Sequence, residues 1–148
     1  MAAVEAIALS ASVAGALDIS ATAAIRAAQG MPPIRLLQFV ASGALGASSF
    51  DGGRKTASLG LLLHFLIAGV IATIYYAVSH VFPIGLGRPV LFGALYGMTV
   101  HLVMSGVVVP LSRAPKREFS LKAFLTQLVV HIFFVGLPIA LTQNYLTR

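Results

Sequence analysis

Four ionisable side chains lie inside apolar stretches of this 148-residue chain: Asp18, His64, His101 and His131. Chains of Asp and His inside membranes are typical of proton relays, and an unperturbed histidine pKa of about 6.5 lets an imidazole gain and lose a proton near neutral pH. Imidazole and carboxylate groups can also hold a divalent metal, and two histidines can ligate a haem iron. These residue types therefore point to proton or ion translocation, or to a bound metal or haem.

The composition places these residues in a lipid bilayer. Hydrophobic residues make up 58% of the chain and charged residues 9%, whereas a soluble domain has about 25% charged residues. A chain this short cannot bury so much apolar surface in a water-facing globule. The net charge of +6 comes from basic residues between apolar segments, which indicates membrane topology rather than nucleic-acid binding. The sequence has no cysteine, which excludes disulfides and thiolate chemistry.

Four apolar segments are long enough to cross a hydrocarbon core of about 30 Å, which takes about 20 helical residues. Because backbone polar groups must pair internally in lipid, each segment is expected to be helical. The predicted fold is therefore an all-α integral membrane bundle that forms one domain over residues 1–148. The predicted spans are approximately 4–25, 59–81, 89–111 and 119–141. The first lacks a basic start and carries an interior Asp, which favours a retained span over a signal peptide.

The linker between the first two spans contains a fifth apolar run, residues 36–50, which follows Pro32 and Pro33 and precedes Gly52. At 1.5 Å per residue this run is about 22 Å long, which is short of a full span. It could form an interfacial helix, a re-entrant half-helix or a strained fifth span.

The distribution of basic residues favours four spans. If residues 36–50 do not cross, eight basic residues share one face, and only Arg88 and Arg148 lie opposite; if they cross, the division is six against four. The positive-inside rule favours the sharper asymmetry, which places both long linkers in the cytoplasm and both termini outside it. Contact with anionic lipid headgroups is the expected use of the linker cations. These are Arg54, Lys55, Arg113, Lys116 and Arg117.

Helix geometry brings the four ionisable residues into the same half of the membrane, at depths of about 8 to 16 Å from the linker side. Small residues on the helix faces of His64 and His101 indicate that both imidazoles point into the bundle rather than at lipid. Three further polar residues lie one helical turn from members of this group, on the same faces. They are Thr22, Ser105 and Gln127.

A resemblance follows from a set of motifs between residues 59 and 142. LGLLLHF precedes Tyr75, a Phe82-Pro83 hairpin and FGALYGMTVH, which ends at His101, and His131 follows in the next span. This pattern resembles the YagU family of bacterial inner-membrane proteins, a domain of unknown function. The resemblance implies the bacterial inner membrane and no particular activity. The resemblance also implies that the hairpin is cytoplasmic, whereas the charge count places it outside the cytoplasm. We follow the local charges and predict an external hairpin.

The predicted function is translocation of protons, ions or a small solute through the Asp and His side chains. The alternatives are a non-catalytic subunit of a larger membrane complex, a homo-oligomer, and a protein that binds haem b or a divalent metal. In the last case the ligands would come from His64, His101, His131 and Asp18. Enzyme activity is not expected, because the few acidic residues lie on separate segments and no GxSxG motif is present.

Overall fold

The computed structural model describes residues 3–82 and 87–147, and every regular element in these ranges is helical. The predicted all-α bundle is confirmed. Pro83 of the hairpin motif and Arg148 of the charge count lie outside the described residues. The five helices are α1 (Ala3–Ala28), α2 (Pro33–Leu45), α3 (Gly53–Val81), α4 (Pro89–Leu111) and α5 (Leu121–Thr147).

Four of these helices, α1, α3, α4 and α5, are long and apolar enough to cross a membrane. Their outer faces carry exposed large hydrophobic residues such as Leu62, Leu102 and Phe133, which is the pattern of a surface covered by lipid rather than water. The chain is therefore a multi-pass membrane protein. One end of the bundle carries the two linkers and is called the linker face. The other end carries the last residues of α3 and the first residues of α4 and is called the hairpin face.

The short helix α2 does not cross the membrane. Gly30, with a φ of +83°, ends α1, because glycine adopts this backbone conformation without a side-chain clash. Pro33 then opens α2. Near the other end of α2, the carbonyl of Gly43 accepts a hydrogen bond of 3.0 Å from the amide of Arg113 in the second linker. A 3-10 helix, Gly46–Asp51, leads back to the start of α3. Both ends of α2 therefore lie at the linker face.

Helix α2 separates α3 from α4 in the half of the bundle near the linker face. On one side, Gly60 of α3 meets the Leu37 carbonyl so closely that a Cβ there would lie 1.9 Å from the oxygen. On the other side, Gly43 approaches Ser112 at the end of α4. In the hairpin half, α3 and α4 meet directly. Tyr75 and Tyr96 have ring centroids 5.0 Å apart.

Two prolines account for wider turns within α4 and α5. Proline lacks an amide hydrogen, and its ring crowds the carbonyl four residues earlier. Before Pro110 and Pro138 the helices change to π-helical geometry over Met104–Val108 and His131–Gly136. The second wide turn begins at one of the predicted site residues, and such turns are frequent at functional sites.

The hairpin half contains the tightest core. Small and branched residues from α1, α3, α4 and α5 fill it, and the Gln143 amide nitrogen donates to Ser10 Oγ and to the Ala72 carbonyl, both at 2.9 Å. The apolar members of this hairpin-side core are Ala11, Ala14, Ala72, Tyr75, Val100, Val135, Ile139 and Ala140. The hairpin half is thus closed, whereas the linker half is opened by the insertion of α2.

Candidate functional site

The four predicted ionisable residues lie at nearly the same depth. Asp18, His64, His101 and His131 are each ten or eleven residues from the linker-face end of their own spans. At 1.5 Å per residue this places them about 15 to 17 Å below the linker face. They are called the Asp/His cluster below.

Asp18 and His64 form the first pair of the Asp/His cluster. Asp18 Oδ2 lies 4.0 Å from His64 Nε2, and the two side chains are 18% and 13% exposed. The same Nε2 lies 2.9 Å from the Gly15 carbonyl. Because a carbonyl only accepts hydrogen bonds, Nε2 carries a hydrogen, and Nδ1 is the nitrogen that can take up a proton. Gly15 permits this contact, since a Cβ there would lie 2.8 Å from the Phe65 ring.

His101 and His131 form the second pair, with ring centroids 5.1 Å apart. His131 Nδ1 donates to the Gln127 carbonyl at 2.8 Å, so its Nε2 is the nitrogen that can exchange a proton. His101 is only 4% exposed and also packs against Phe124. Asp18, His64 and His131 also line one smaller space together, which brings the two pairs side by side.

Two buried polar atoms of the Asp/His cluster remain without a hydrogen-bond partner among the described residues: Asp18 Oδ1 and His101 Nε2. Leaving such an atom unpaired costs about 1 to 3 kcal/mol. Unsatisfied buried groups in a folded protein therefore call for an explanation, such as a functional role.

A cavity of about 270 Å³ connects the Asp/His cluster to the linker face. All four members of the cluster line its inner end, and Arg26 and Arg117 line its outer end. Leu36, Phe39 and Val40 of α2 form one wall. A smaller space of about 110 Å³ adjoins the cluster on its inner side and is bounded there by Ala14 and Val135 of the hairpin-side core. The cavity therefore ends at the closed half of the bundle.

The other predicted polar residues also line this cavity: Thr22, Ser105 and Gln127. Thr22 lies beside the Asp18 carboxylate. The Ser105 hydroxyl donates to the His101 carbonyl at 2.7 Å, and the Gln127 carbonyl holds the His131 ring. The three side chains make part of the cavity wall polar, and the backbone carbonyl of Gln127 orients the His131 ring.

The basic residues assigned to lipid headgroups have different environments. Arg54, Lys55 and Arg113 are exposed at the linker face. The Lys116 ammonium instead donates to the carbonyls of Val109, Pro110 and Ser112, where a cation stabilises the end of α4. The Arg117 guanidinium lies 4.6 Å from the Phe39 ring centroid, at the cavity mouth.

Sequence reasoning missed several residues that shape the site. Phe39 and Arg26 line the cavity, and Ser10 and Gln143 close the bundle beyond it. Gln143 fell outside the predicted fourth span, which ended at residue 141. Arg26 lies two helical turns beyond Asp18 on the same helix, a spacing that could have placed both on one face.

The alternatives of a bound divalent metal or a haem stay predictions. In the described part of the chain, no three His, Asp or Glu side chains are grouped so that they could hold a metal ion. A bis-histidine haem would have to lie between His101 and His131. The backbones of α4 and α5 already touch at that level, because a Cβ on Gly97 would lie 2.4 Å from the His131 carbonyl oxygen.

The fold and site together define a small polytopic membrane protein with an Asp/His cluster at the end of a one-sided cavity. Compared with protein families, curated proteins and solved structures, the chain matches none.

Proposed function

We propose that this membrane protein translocates protons, either alone or together with a small ion or solute, through the Asp/His cluster. The observation that carries the proposal is the cavity, which joins the linker face to the cluster and is closed beyond it by the hairpin-side core. A blind cavity with ionisable groups at its inner end has the form of one access state of a transporter, in which the site is reached from one side at a time.

The cluster supplies groups that can accept and release a proton. His64 Nδ1 and His131 Nε2 are the available basic nitrogens, because the opposite nitrogen of each ring donates to a carbonyl. Asp18 lines the same space as both rings and would stabilise an imidazolium on either one. Protonation of His64 would then strengthen the contact with the carboxylate 4.0 Å away.

We further propose that the linker face is cytoplasmic and that the membrane is the bacterial inner membrane. Eight basic residues lie in the two linkers or on the helix ends that adjoin them. By the positive-inside rule, this distribution supports a cytoplasmic linker face. The resemblance to the YagU family supports the choice of membrane. In this orientation the cavity opens to the cytoplasm.

The test is proton flux into liposomes. Purified protein is reconstituted with an internal pH-sensitive dye. Proton movement is driven in one series by a potassium diffusion potential with valinomycin and in a second series, for electroneutral cotransport, by an inward pH gradient with a small carboxylate such as benzoate outside. The parent protein should acidify the lumen faster than protein-free liposomes, and Asp18→Asn or His131→Ala should reduce the rate to the protein-free level. Each variant must elute as a single species on size-exclusion chromatography.

The matched control is His80→Ala. His80 is an exposed histidine that stacks on Tyr76 in the last turns of α3, near the hairpin face, and it does not line the cavity. Its variant should retain parental flux. Absence of flux in the parent under both driving forces would reject the proposal, as would equal rates for the Asp18→Asn and parent proteins. Stoichiometric co-purification of another membrane protein, together with absent flux, would instead support the structural-subunit alternative.

A further inference from the structure

The mouth of the cavity is strongly basic. Arg26 and Arg117 both line it, from the end of α1 and from the second linker. Arg117 is held over the Phe39 ring, and Arg26 Nη1 donates to Gln29 Oε1 at 3.3 Å. Within the described residues, neither guanidinium forms an ion pair with a carboxylate. Each retains free N–H groups in the planar arrangement that suits a carboxylate or phosphate.

The wall between the mouth and the Asp/His cluster is largely apolar. It includes Ile19, Leu36, Val40 and Met104. Arg26 lies eight residues beyond Asp18 on α1, which separates mouth and cluster by about 12 Å. A cavity of 150 Å³ can hold benzene, so the 270 Å³ cavity has room for about ten non-hydrogen atoms. From the linker face inward, the cavity therefore has an anion site at its mouth, an apolar chamber in the middle and the proton-exchanging Asp/His cluster at its inner end.

We propose that the cavity binds a small organic oxyanion, a carboxylate with a compact apolar body. The head lies between the guanidinium groups of Arg26 and Arg117, and the body lies against the α2 wall. The inference deepens the proposed function, on which it rests for the transport step. A bound monoanion together with one proton taken up by the Asp/His cluster carries no net charge, and this lowers the electrostatic cost of moving the anion through the membrane.

Other anions with the same head chemistry fit the cavity less well. Inorganic phosphate could meet the arginines but would gain nothing from the apolar chamber. A diacyl phospholipid could place its phosphate at the mouth, but its chains far exceed about ten atoms and would have to remain outside. Size and apolarity therefore favour the soluble organic anion, and the experiment must separate it from a lipid headgroup.

The experiment is isothermal titration calorimetry of the full-length protein in an uncharged detergent, with protein-free micelles as the blank. Benzoate is the probe, and benzamide is its neutral counterpart of the same shape. Benzoate should bind at least tenfold more tightly than benzamide. Arg26→Gln and Arg117→Gln should each weaken benzoate binding about tenfold or more, since one charge-assisted contact is lost. Arg117→Lys should restore only part of the affinity, because lysine lacks the planar fork.

The matched control is Arg113→Gln, which removes an exposed arginine from the same linker that does not line this cavity. It should leave benzoate affinity unchanged. Equal affinity for benzoate and benzamide, or equal weakening by Arg113→Gln and Arg117→Gln, would overturn the inference.

The source of the anion is decided by repeating the titration in nanodiscs. Benzoate affinity should be the same in phosphatidylcholine and in phosphatidylglycerol nanodiscs. Loss of binding in phosphatidylglycerol alone would assign the mouth to a lipid headgroup and overturn the proposal. Failure of this inference is distinguishable from failure of the proposed function. Proton flux without benzoate binding removes only the substrate class, whereas benzoate binding without flux removes only the transport.

Discussion

Replacement of Gly97 by alanine should disturb both the stability of the bundle and the Asp/His cluster. Gly97 lies on α4 where its backbone contacts α5, one turn before His101. An ideal Cβ at this position would lie 2.4 Å from the His131 carbonyl oxygen and 2.7 Å from the Ile132 Cα. Both atoms are backbone, so no side-chain rotation can relieve the overlap.

The magnitude follows from the contact distance. Ordinary Cβ contacts begin at 3.4 Å, so α5 must move away by about 1 Å, and overpacking of this kind costs about 1 to 3 kcal/mol. The rigid backbone places the cost at the upper end, while the better helix propensity of alanine offsets about 1 kcal/mol. The expected net loss of about 2 kcal/mol corresponds to a fall in Tm of about 4 to 8 °C. The same displacement separates the His101 and His131 rings, so proton flux should fall as well.

The measurement is the fraction of protein that survives heating in detergent, read by size-exclusion chromatography. Gly69→Ala is the matched control, because Gly69 lies inside α3 and a Cβ there meets no atom within 4 Å. It should melt at or above the parental temperature, since alanine favours the helix. A Gly97→Ala protein that melts as high as Gly69→Ala would refute the packing argument.

Three further predictions concern α2, the closed half and topology. Gly60→Val should lift α2 from α3, because its side chain meets the Leu37 carbonyl; faster proteolysis of the first linker would show this, and an unchanged digest would contradict it. Gln143→Leu removes two interhelical hydrogen bonds of about 0.6 kcal/mol each, so its Tm should fall by a few degrees, and an unchanged Tm would show that the bonds contribute nothing. Because the sequence has no cysteine, Ala47→Cys and Gly87→Cys can be labelled singly in intact cells with an impermeant maleimide. Only Gly87→Cys should react, and the reverse pattern would invert the proposed orientation.

The four spans could be predicted because the length of an apolar segment indicates whether it can cross a bilayer. The residues at which the helices begin and end could not be predicted in this way. Hydropathy marks how deep a residue lies in the bilayer, whereas helical hydrogen bonding continues past that depth. Helix α3 therefore begins at Gly53, before the basic pair that hydropathy excluded, and α5 continues to Thr147. Gln143 and Asn144 are polar yet buried, because they face other helices rather than lipid.

The members of the Asp/His cluster could be nominated from the sequence because an ionisable residue in an apolar span is costly. The cavity that leads to them could not. The cavity depends on the position of α2, which is set by two contacts. One is the close approach of Gly60 to the α2 backbone, and the other is the hydrogen bond from the Arg113 amide to the Gly43 carbonyl. Arg113 and Gly43 are seventy residues apart in the chain. No local pattern encodes such a pairing. For the same reason the contact of Arg117 with the Phe39 ring could not be predicted.

The energetics of the Asp/His cluster indicate that it does not stabilise the fold. His64 bonds the Gly15 carbonyl of α1, as a residue that merely joins helices would, and such an interhelical bond contributes about 0.6 kcal/mol. The bond from His131 to the Gln127 carbonyl lies within α5 and joins no helices. A charged residue at this depth costs about 2.5 to 3.5 kcal/mol, and Asp18 Oδ1 gains no hydrogen bond from the described residues in return. The free energy of these hydrogen bonds therefore does not offset the cost of burying the Asp18 carboxylate. A scaffold would be more stable without Asp18, so the Asp18→Asn protein used for flux should melt no lower than its parent while it fails to move protons.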